Sequence, residues 1–444
     1  MSENPYLSGN FAPVQEETTA FDLKVRGTIP RSLCGRLLRI GPNPLDPDPA
    51  THHWFIGSGL VHGLKLEDGH ARWYRSRFVR DDDVVRLRGG DPVPGPEHGG
   101  PGSGAVNTNV IGFAGRTFAI VEAGSRPMEL GYELETLRRS DFDGSLKGGF
   151  TAHPKVDPAT GEAHAAVYSP FDENVQYVVV AKDGKVRRSV DIHLPHKPMI
   201  HDCAITENHF LVLDLPCVFD GQALLDGIPL PYRWHPEIPA RVGVLPREGS
   251  ARDIVWCEVD PCYVFHPMNA YEEPDGRIVL DVARHPAMFA TDALGPNEGP
   301  PVLERWRIDP KGGPVKTERV DDRAQEFPRV DERLVGRPYR FGYVAELGDS
   351  FAAPGLLKHD MRSGTAISHR EGSDRTFLEP VFVPSHAGAG EDEGFVLAYV
   401  HDAKRNAADV VILDAQDFAA PPIATIELPA RVPYGFHGNW VADD

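Results

Sequence analysis

VQYVVVAKDGKVRRSV, residues 175–190, reads as two extended runs folded back on Asp183-Gly184. Asp-Gly tolerates the positive φ that a two-residue hairpin turn imposes between right-twisting strands. The same signature stands in KLEDGHARW (65–73) and EEPDGRIVLDV (272–282). Further turn-bounded pairs occur in FAGRTFAIVEA (113–123), IDPKGGPVKTERV (308–320) and VILDAQDFAAPPIATIEL (411–428). Hairpin signals therefore run from Gly35 to the C-terminus, helical periodicity is scarce, and the chain reads as all-β. No WD or kelch repeat is present, so period alone leaves a propeller and an array of sandwiches open.

Four histidines narrow that choice. TAHPK (151–155), MIHDC (199–203), VFHPMNA (264–270) and GFHGNW (435–440) each set one histidine, His153, His201, His266 and His437, in a short apolar context with Pro or Gly. Intervals of 48, 65 and 171 residues match no compact motif such as HExxH. One metal site drawn from such distant segments needs strand ends that converge on a common axis, which points to a β-propeller. Imidazole suits iron, copper, nickel or zinc, and four neutral ligands leave a divalent ion its full charge and room for more. HHWFIGSGLVH (52–62) is locally richer, with His52, His53 and His62, but adjacent strand side chains point to opposite faces.

A metal-bound imidazole usually donates its other N–H to a carboxylate or carbonyl, which fixes tautomer and ring plane. Carboxylates within apolar runs are the candidates, because an ionised group there is costly unless paired. Glu122 in AIVEAG, Glu326 in QEFPRV and Glu379 in FLEPVFVP fit.

The composition bounds the function class. A formal charge of −19 argues against a nucleic-acid partner, since phosphate binding needs a basic face. Five cysteines, an odd number without a CxxC pair, suit reduced thiols and a cytoplasmic location. The N-terminus has neither a basic nor an apolar signal region, and no apolar run approaches the roughly 20 residues of a spanning helix. The Pro/Gly-rich stretch 89–104 reads as a surface loop and not a linker, so residues 1–444 are read as a single domain. GxSxG and P-loop signatures are absent.

NPYLSGNFAPV, GRLLRIGPNP, HWFIGSGLVHG, NTNV, VEAG, TAHPKVDP, MIHDCAIT, FHPMNA, EFPRV, EPVFVP and GFHGNW follow one another in that order. Together, over residues 4–440, they resemble the carotenoid cleavage oxygenase family, which includes stilbene-cleaving dioxygenases and a retinoid isomerase. The resemblance implies a seven-bladed β-propeller capped by loops and short helices, with one iron(II) per chain on the axis. It implies His153, His201, His266 and His437 as iron ligands, with Glu122, Glu326 and Glu379 partnering His201, His266 and His437, and no carboxylate for His153. Thr108 of NTNV would lie beside an open coordination position. The implied activity is O2-dependent scission of a conjugated C=C bond into two carbonyl products; a non-oxidative isomerase and a non-catalytic propeller are the other readings.

In stilbene-cleaving relatives a lysine directly before the first of these glutamates helps bind and ionise the substrate phenol. Here that position is Val121, which favours a carotenoid or apocarotenoid over a 4-hydroxystilbene. Phe55, Phe265, Phe327, Tyr339 and Phe436 are candidates to line a substrate tunnel. The segment 215–234, LPCVFDGQALLDGIPLPYRW, falls where family members carry an apolar membrane-contacting patch, although Asp220 and Asp226 interrupt it.

Overall fold

Seven antiparallel sheets follow one another along the chain and close into a ring, in a computed structural model that describes residues 4–99, 102–348 and 352–443. Blade 1 is built on Gly35–Asn43, Ser58–Glu67 and His70–Phe78. Blades 2, 3, 4, 5 and 6 begin at Asn109–Phe113, Lys155–Val156, Cys203–Ile205, Tyr263–Glu272 and Gln325–Val330, and each has four strands. Blade 7 is built on Arg375–Phe377, Val381–Pro384, Gly394–Asp402, Ala407–Asp414 and Ala424–Glu427. The hairpin read from residues 175–190 is the outer pair of blade 3, Asn174–Val180 against Val186–His193.

Both chain ends lock the ring. Lys24–Gly27 adds an outer strand to blade 7 by pairing with Ala424–Glu427. The C-terminal strand Gly438–Ala442 pairs with Gly35–Asn43 and becomes the axial strand of blade 1. Ring closure leaves few unpaired strand edges to solvent.

The core is divided among the interfaces between blades. Leu37, Leu64, Leu397 and Val410 pack between blades 1 and 7, and Leu38, Val61 and Val110 between blades 1 and 2. Leu211, Val242, Leu280 and Trp306 fill the interface of blades 4 and 5. Each fully buried leucine or valine contributes about 1.5–3 kcal/mol relative to exposure, so each blade is held chiefly by its two neighbours.

Above one end of the axis lie loops, the helices Asp82–Arg88 and Gly221–Leu225, and a small hairpin, Cys217–Phe219 with Tyr232–Trp234. Asp81 and Asp220 cap the two helices, accepting hydrogen bonds from Val84 N and from Gln222 N and Ala223 N. The Pro/Gly-rich stretch is an exposed loop over 89–99 and 102–104; residues 100 and 101 lie outside the described residues. Among the described residues no helix is long and apolar enough to cross a membrane. All five cysteines are free.

Candidate metal centre and substrate cavity

Each blade delivers one side chain to the same end of the axis, at or just before its innermost strand. Blades 3, 4, 5 and 1 supply His153, His201, His266 and His437; blades 6 and 7 supply Glu326 and Glu379; blade 2 supplies Thr108. Proline follows directly at His153, His266 and Glu379 and two residues on at Glu326. Lacking an N–H, proline interrupts the ladder and lets the strand turn its side chain inward. The registers of blades 5 and 6 shift at these points, between Val264 and Asn269 and between Glu326 and Arg329. Phe327 and Ala123, the residues after Glu326 and Glu122, both take left-handed φ angles, 56° and 50°. Such strain in non-glycine residues persists where the surroundings over-determine it, commonly at functional sites.

Gly41 explains how the last histidine reaches the axis. A Cβ on Gly41 would lie 2.5 Å from the Gly435 Cα, and backbone cannot yield there, so only two glycines let the segment before His437 cross blade 1.

The four histidines are buried, and their ligand nitrogens lie within 4.8 Å of one another. Successive Nε2 atoms are 3.1 Å (His153–His201), 3.2 Å (His201–His266) and 3.1 Å (His266–His437) apart. Imidazoles bound about 2.1 Å from one ion at right angles would sit about 3 Å apart, so the spacing fits a metal. In three of the four histidines, the opposite nitrogen is engaged by a carboxylate. His201 Nδ1 lies 2.8 Å from Glu122 Oε1, His266 Nδ1 2.6 Å from Glu326 Oε2, and His437 Nδ1 2.9 Å from Glu379 Oε1. An Nδ1–H given to a carboxylate leaves the Nε2 lone pair free for a metal. Burial and the facing imidazoles hold His153 well below the usual range, and burial brings His437 down to about 3 despite Glu379. Both therefore stay in the neutral, ligating form.

The carboxylates are themselves anchored. Glu326 also accepts from His285 Nε2 at 2.9 Å and from Phe327 N. Glu379 accepts from Gly438 N at 2.7 Å and pairs with Arg329 at 3.2 Å. Burial opposes ionisation of Glu379, but His437 and Arg329 outweigh it and bring its carboxyl down to about 2. Beside His153, Asp202 lies 3.9 Å from Nδ1, beyond a hydrogen bond, and is held instead by Lys155 at 2.8 Å.

A cavity of about 440 Å³ opens from the cluster into the cap. Val121, Phe55, Phe265, Phe327 and Phe436 line it, as does Thr108. Phe265 stands edge-on to His201, with ring centres 4.9 Å apart, and Phe327 stacks on His266 at 5.4 Å. Tyr339 is a correction: its hydroxyl donates to Asp281 Oδ2 at 2.6 Å, away from the cavity, joining Arg305 on that buried carboxylate. His52, His53 and His62 stand apart from the metal cluster, His62 bonding Tyr74. In segment 215–234, Val218 is buried, Phe219 and Leu224 line the cavity, and Leu225 is 81% exposed. Phe171, 58% exposed, joins this apolar rim, packing on Phe219.

Sequence reasoning did not identify His285, Arg329, Lys155–Asp202, or the tyrosines Tyr168 and Tyr232 in the cavity wall. A weak signal existed for two of them: Asp202 adjoins a histidine in MIHDC, and Arg329 ends EFPR.

The family model described as retinal pigment epithelial membrane protein matches residues 11–442. The chain belongs to the carotenoid cleavage oxygenase family. Among its members, a carotenoid cleavage oxygenase of Mycobacterium tuberculosis is 43% identical over 99% of this chain and 98% of its own. The crystal structure of a Pseudomonas brassicacearum lignostilbene dioxygenase superimposes with a TM-score of 0.90 at 29% identity, over 99% of this chain and 98% of that one. The cobalt-substituted apocarotenoid oxygenase of Synechocystis does so with a TM-score of 0.86 at 29% identity, over 97% of both chains. Family members thus share this ring over nearly its whole length.

Proposed function

We propose that the protein is a non-haem iron(II) oxygenase that cleaves a conjugated C=C bond of a carotenoid or apocarotenoid with O2, giving two carbonyl products. The observation that carries this reading is a four-imidazole cluster with no anionic ligand, opening directly into an apolar aromatic cavity. His153, His201, His266 and His437 would hold the ion, and Glu122, Glu326 and Glu379 would fix the three imidazoles they touch. Iron(II) would supply the ability to bind and activate O2. The chain's own contribution is orientation and exclusion of water: Phe55, Phe265, Phe327 and Phe436 press a flat conjugated chain over the cluster, with Thr108 and Val121 bounding the space. No acid or base is required, because both oxygen atoms of O2 end in the two carbonyls.

The test is to load purified protein with iron, offer apocarotenoids and stilbenes, and follow O2 uptake with mass spectrometry of products. One O2 consumed per pair of carbonyl fragments is expected. Isomerised substrate without O2 uptake would replace the reading with an isomerase, and binding alone with a platform.

Stilbene or phenylpropenoid cleavage is the second reading, favoured by the structural likeness to the lignostilbene dioxygenase. Val121 lines the cavity beside Glu122, where it offers a phenol no charged partner. Burying a hydroxyl that finds no hydrogen-bonding partner costs roughly 1–3 kcal/mol, and a neutral partner recovers less than a charged one. The ratio of kcat/KM for an apocarotenoid to that for resveratrol should exceed one and fall about 10-fold or more in Val121→Lys. A native enzyme that cleaves resveratrol and ignores apocarotenoids would refute this discrimination.

We also infer that the rim formed by Phe171, Leu224 and Leu225 rests on a lipid surface, from which a membrane-dissolved substrate would enter. Leu225→Asp should weaken co-sedimentation with phosphatidylcholine vesicles while leaving thermal stability unchanged, since that side chain is already solvated. Equal sedimentation of both proteins would remove the patch from the proposal.

A further inference from the structure

The cavity wall is mostly apolar, with polar groups at the histidine cluster, at Asn107 and Thr108, and at Glu122, Ser125 and Tyr232. Glu122 Oε2, Ser125 Oγ and Tyr232 Oη lie in it, each buried and each without a hydrogen-bonding partner of ordinary geometry among the described residues. Leaving such a group unsatisfied is costly, so three in the wall of one cavity mark a place where something else completes the bonding. Tyr232 is the clearest of them. It is 4% exposed, sits on the short hairpin Cys217–Phe219/Tyr232–Trp234, and its cross-strand partner Phe219 faces the same cavity. Packing alone would be served there by phenylalanine. The Tyr168 hydroxyl lies alongside, on a segment that precedes Phe171 at the rim.

We propose that Tyr232, with Tyr168 beside it, donates a hydrogen bond to a neutral oxygen on the substrate, a hydroxyl or carbonyl, and so selects oxygenated conjugated molecules over bare hydrocarbons. The inference deepens the oxygenase reading and rests on it for the nature of the ligand. Electrostatics decide for a neutral oxygen. Burial first, and then the Glu122 carboxylate, push the phenols of Tyr168 and Tyr232 upward, so both keep their protons as donors. A substrate phenol beside Tyr168 and Tyr232 would feel the same Glu122 charge and keep its proton too. This is the reverse of a site that ionises its ligand with a lysine, and it agrees with valine at 121. Two sources share this chemistry: a ring hydroxyl or keto group on a polyene, and the un-ionised phenol of a stilbene.

The test measures binding to metal-free protein, by quenching of tryptophan fluorescence, so that it does not depend on turnover; Trp54 lies in the cavity wall. Four probes are used: an apocarotenal with and without a ring hydroxyl, and 4-hydroxystilbene with stilbene. In the native protein the hydroxylated member of at least one pair should bind about 3–10-fold tighter, the range of one neutral hydrogen bond. In Tyr232→Phe that ratio should fall towards one. Loss in the polyene pair names a polyene oxygen, and loss in the stilbene pair names a phenol. Ratios that are unchanged in both pairs, or equal to one in the native protein, would overturn the proposal. Thermal unfolding guards against a purely structural role. Tyr232→Phe should melt within about 2 °C of native protein, since the hydroxyl it removes has no partner of ordinary geometry besides the neighbouring Tyr168, and a clearly lower midpoint would overturn the proposal. Native protein that binds the hydroxylated probe selectively yet cleaves nothing with iron and O2 would defeat the oxygenase reading and leave this one standing.

Discussion

Replacing His266 by alanine should leave less than about a tenth of the native metal in the protein and abolish cleavage, against about one iron per chain in the native enzyme. His266 Nε2 approaches both His201 and His437, so its loss opens the middle of the cluster and not an edge. The change also strands Glu326. With the 2.6 Å bond from His266 gone, a fully buried carboxylate keeps only His285 and the Phe327 amide, and a protonated Glu326 or an intruding water must take up the difference. Metal analysis together with O2 uptake decides the matter, and circular dichroism shows whether the ring survives. A His266→Ala protein with full metal and native turnover would dismantle the site. The same loss is expected, without the stranded glutamate, for His153→Ala, because His153 has no carboxylate in hydrogen-bond reach.

Glu326→Gln should retain metal 10–100-fold more weakly, and more weakly than Glu122→Gln. Glu326 accepts from three donors, His266 Nδ1, His285 Nε2 and Phe327 N. An amide has one acceptor oxygen, and its NH2 would face an imidazole N–H. One ring must then shift its proton, and in His266 that shift places hydrogen on the nitrogen that faces the cluster. Glu122 is different: Oε1 serves His201 while Oε2 has no partner, so a glutamine there can keep its oxygen on His201 and turn its NH2 to the cavity. Competition for the metal by a chelator ranks the two variants. Equal retention in both would mean that the number of anchoring bonds is irrelevant to the centre.

The propeller and the four histidines were legible because each lies in a short motif whose neighbours, Pro or Gly, record how the strand must bend. The glutamates were legible for a related reason, a charge set among Leu, Val, Ile or Phe that has to be paired. What stayed hidden is what depends on closure. His285 lies at the end of its strand in ARH and looks like any surface histidine until blade 6 brings Glu326 against it. Arg329 meets Glu379 and Asn439 only because blades 6, 7 and 1 are neighbours in the ring. Tyr339 was misread for the opposite reason: an aromatic near the right motifs, it is held by Asp281, a partner no local pattern announces. The five other residues assigned to the cavity all line it, four of them adjoining a motif that supplies a histidine or glutamate.

The strand that completes blade 1 comes from the far end of the polypeptide, and His437 stands one residue ahead of it. The third imidazole enters the chain only at residue 266, and the fourth follows 171 residues later, just ahead of the strand that closes the ring. Removing residues 437–442 would unlatch the wheel and take away one of the four clustered imidazoles in one event. The cluster thus works as a seal on the closed ring: a chain cut before His437 lacks both the closing strand and the fourth imidazole.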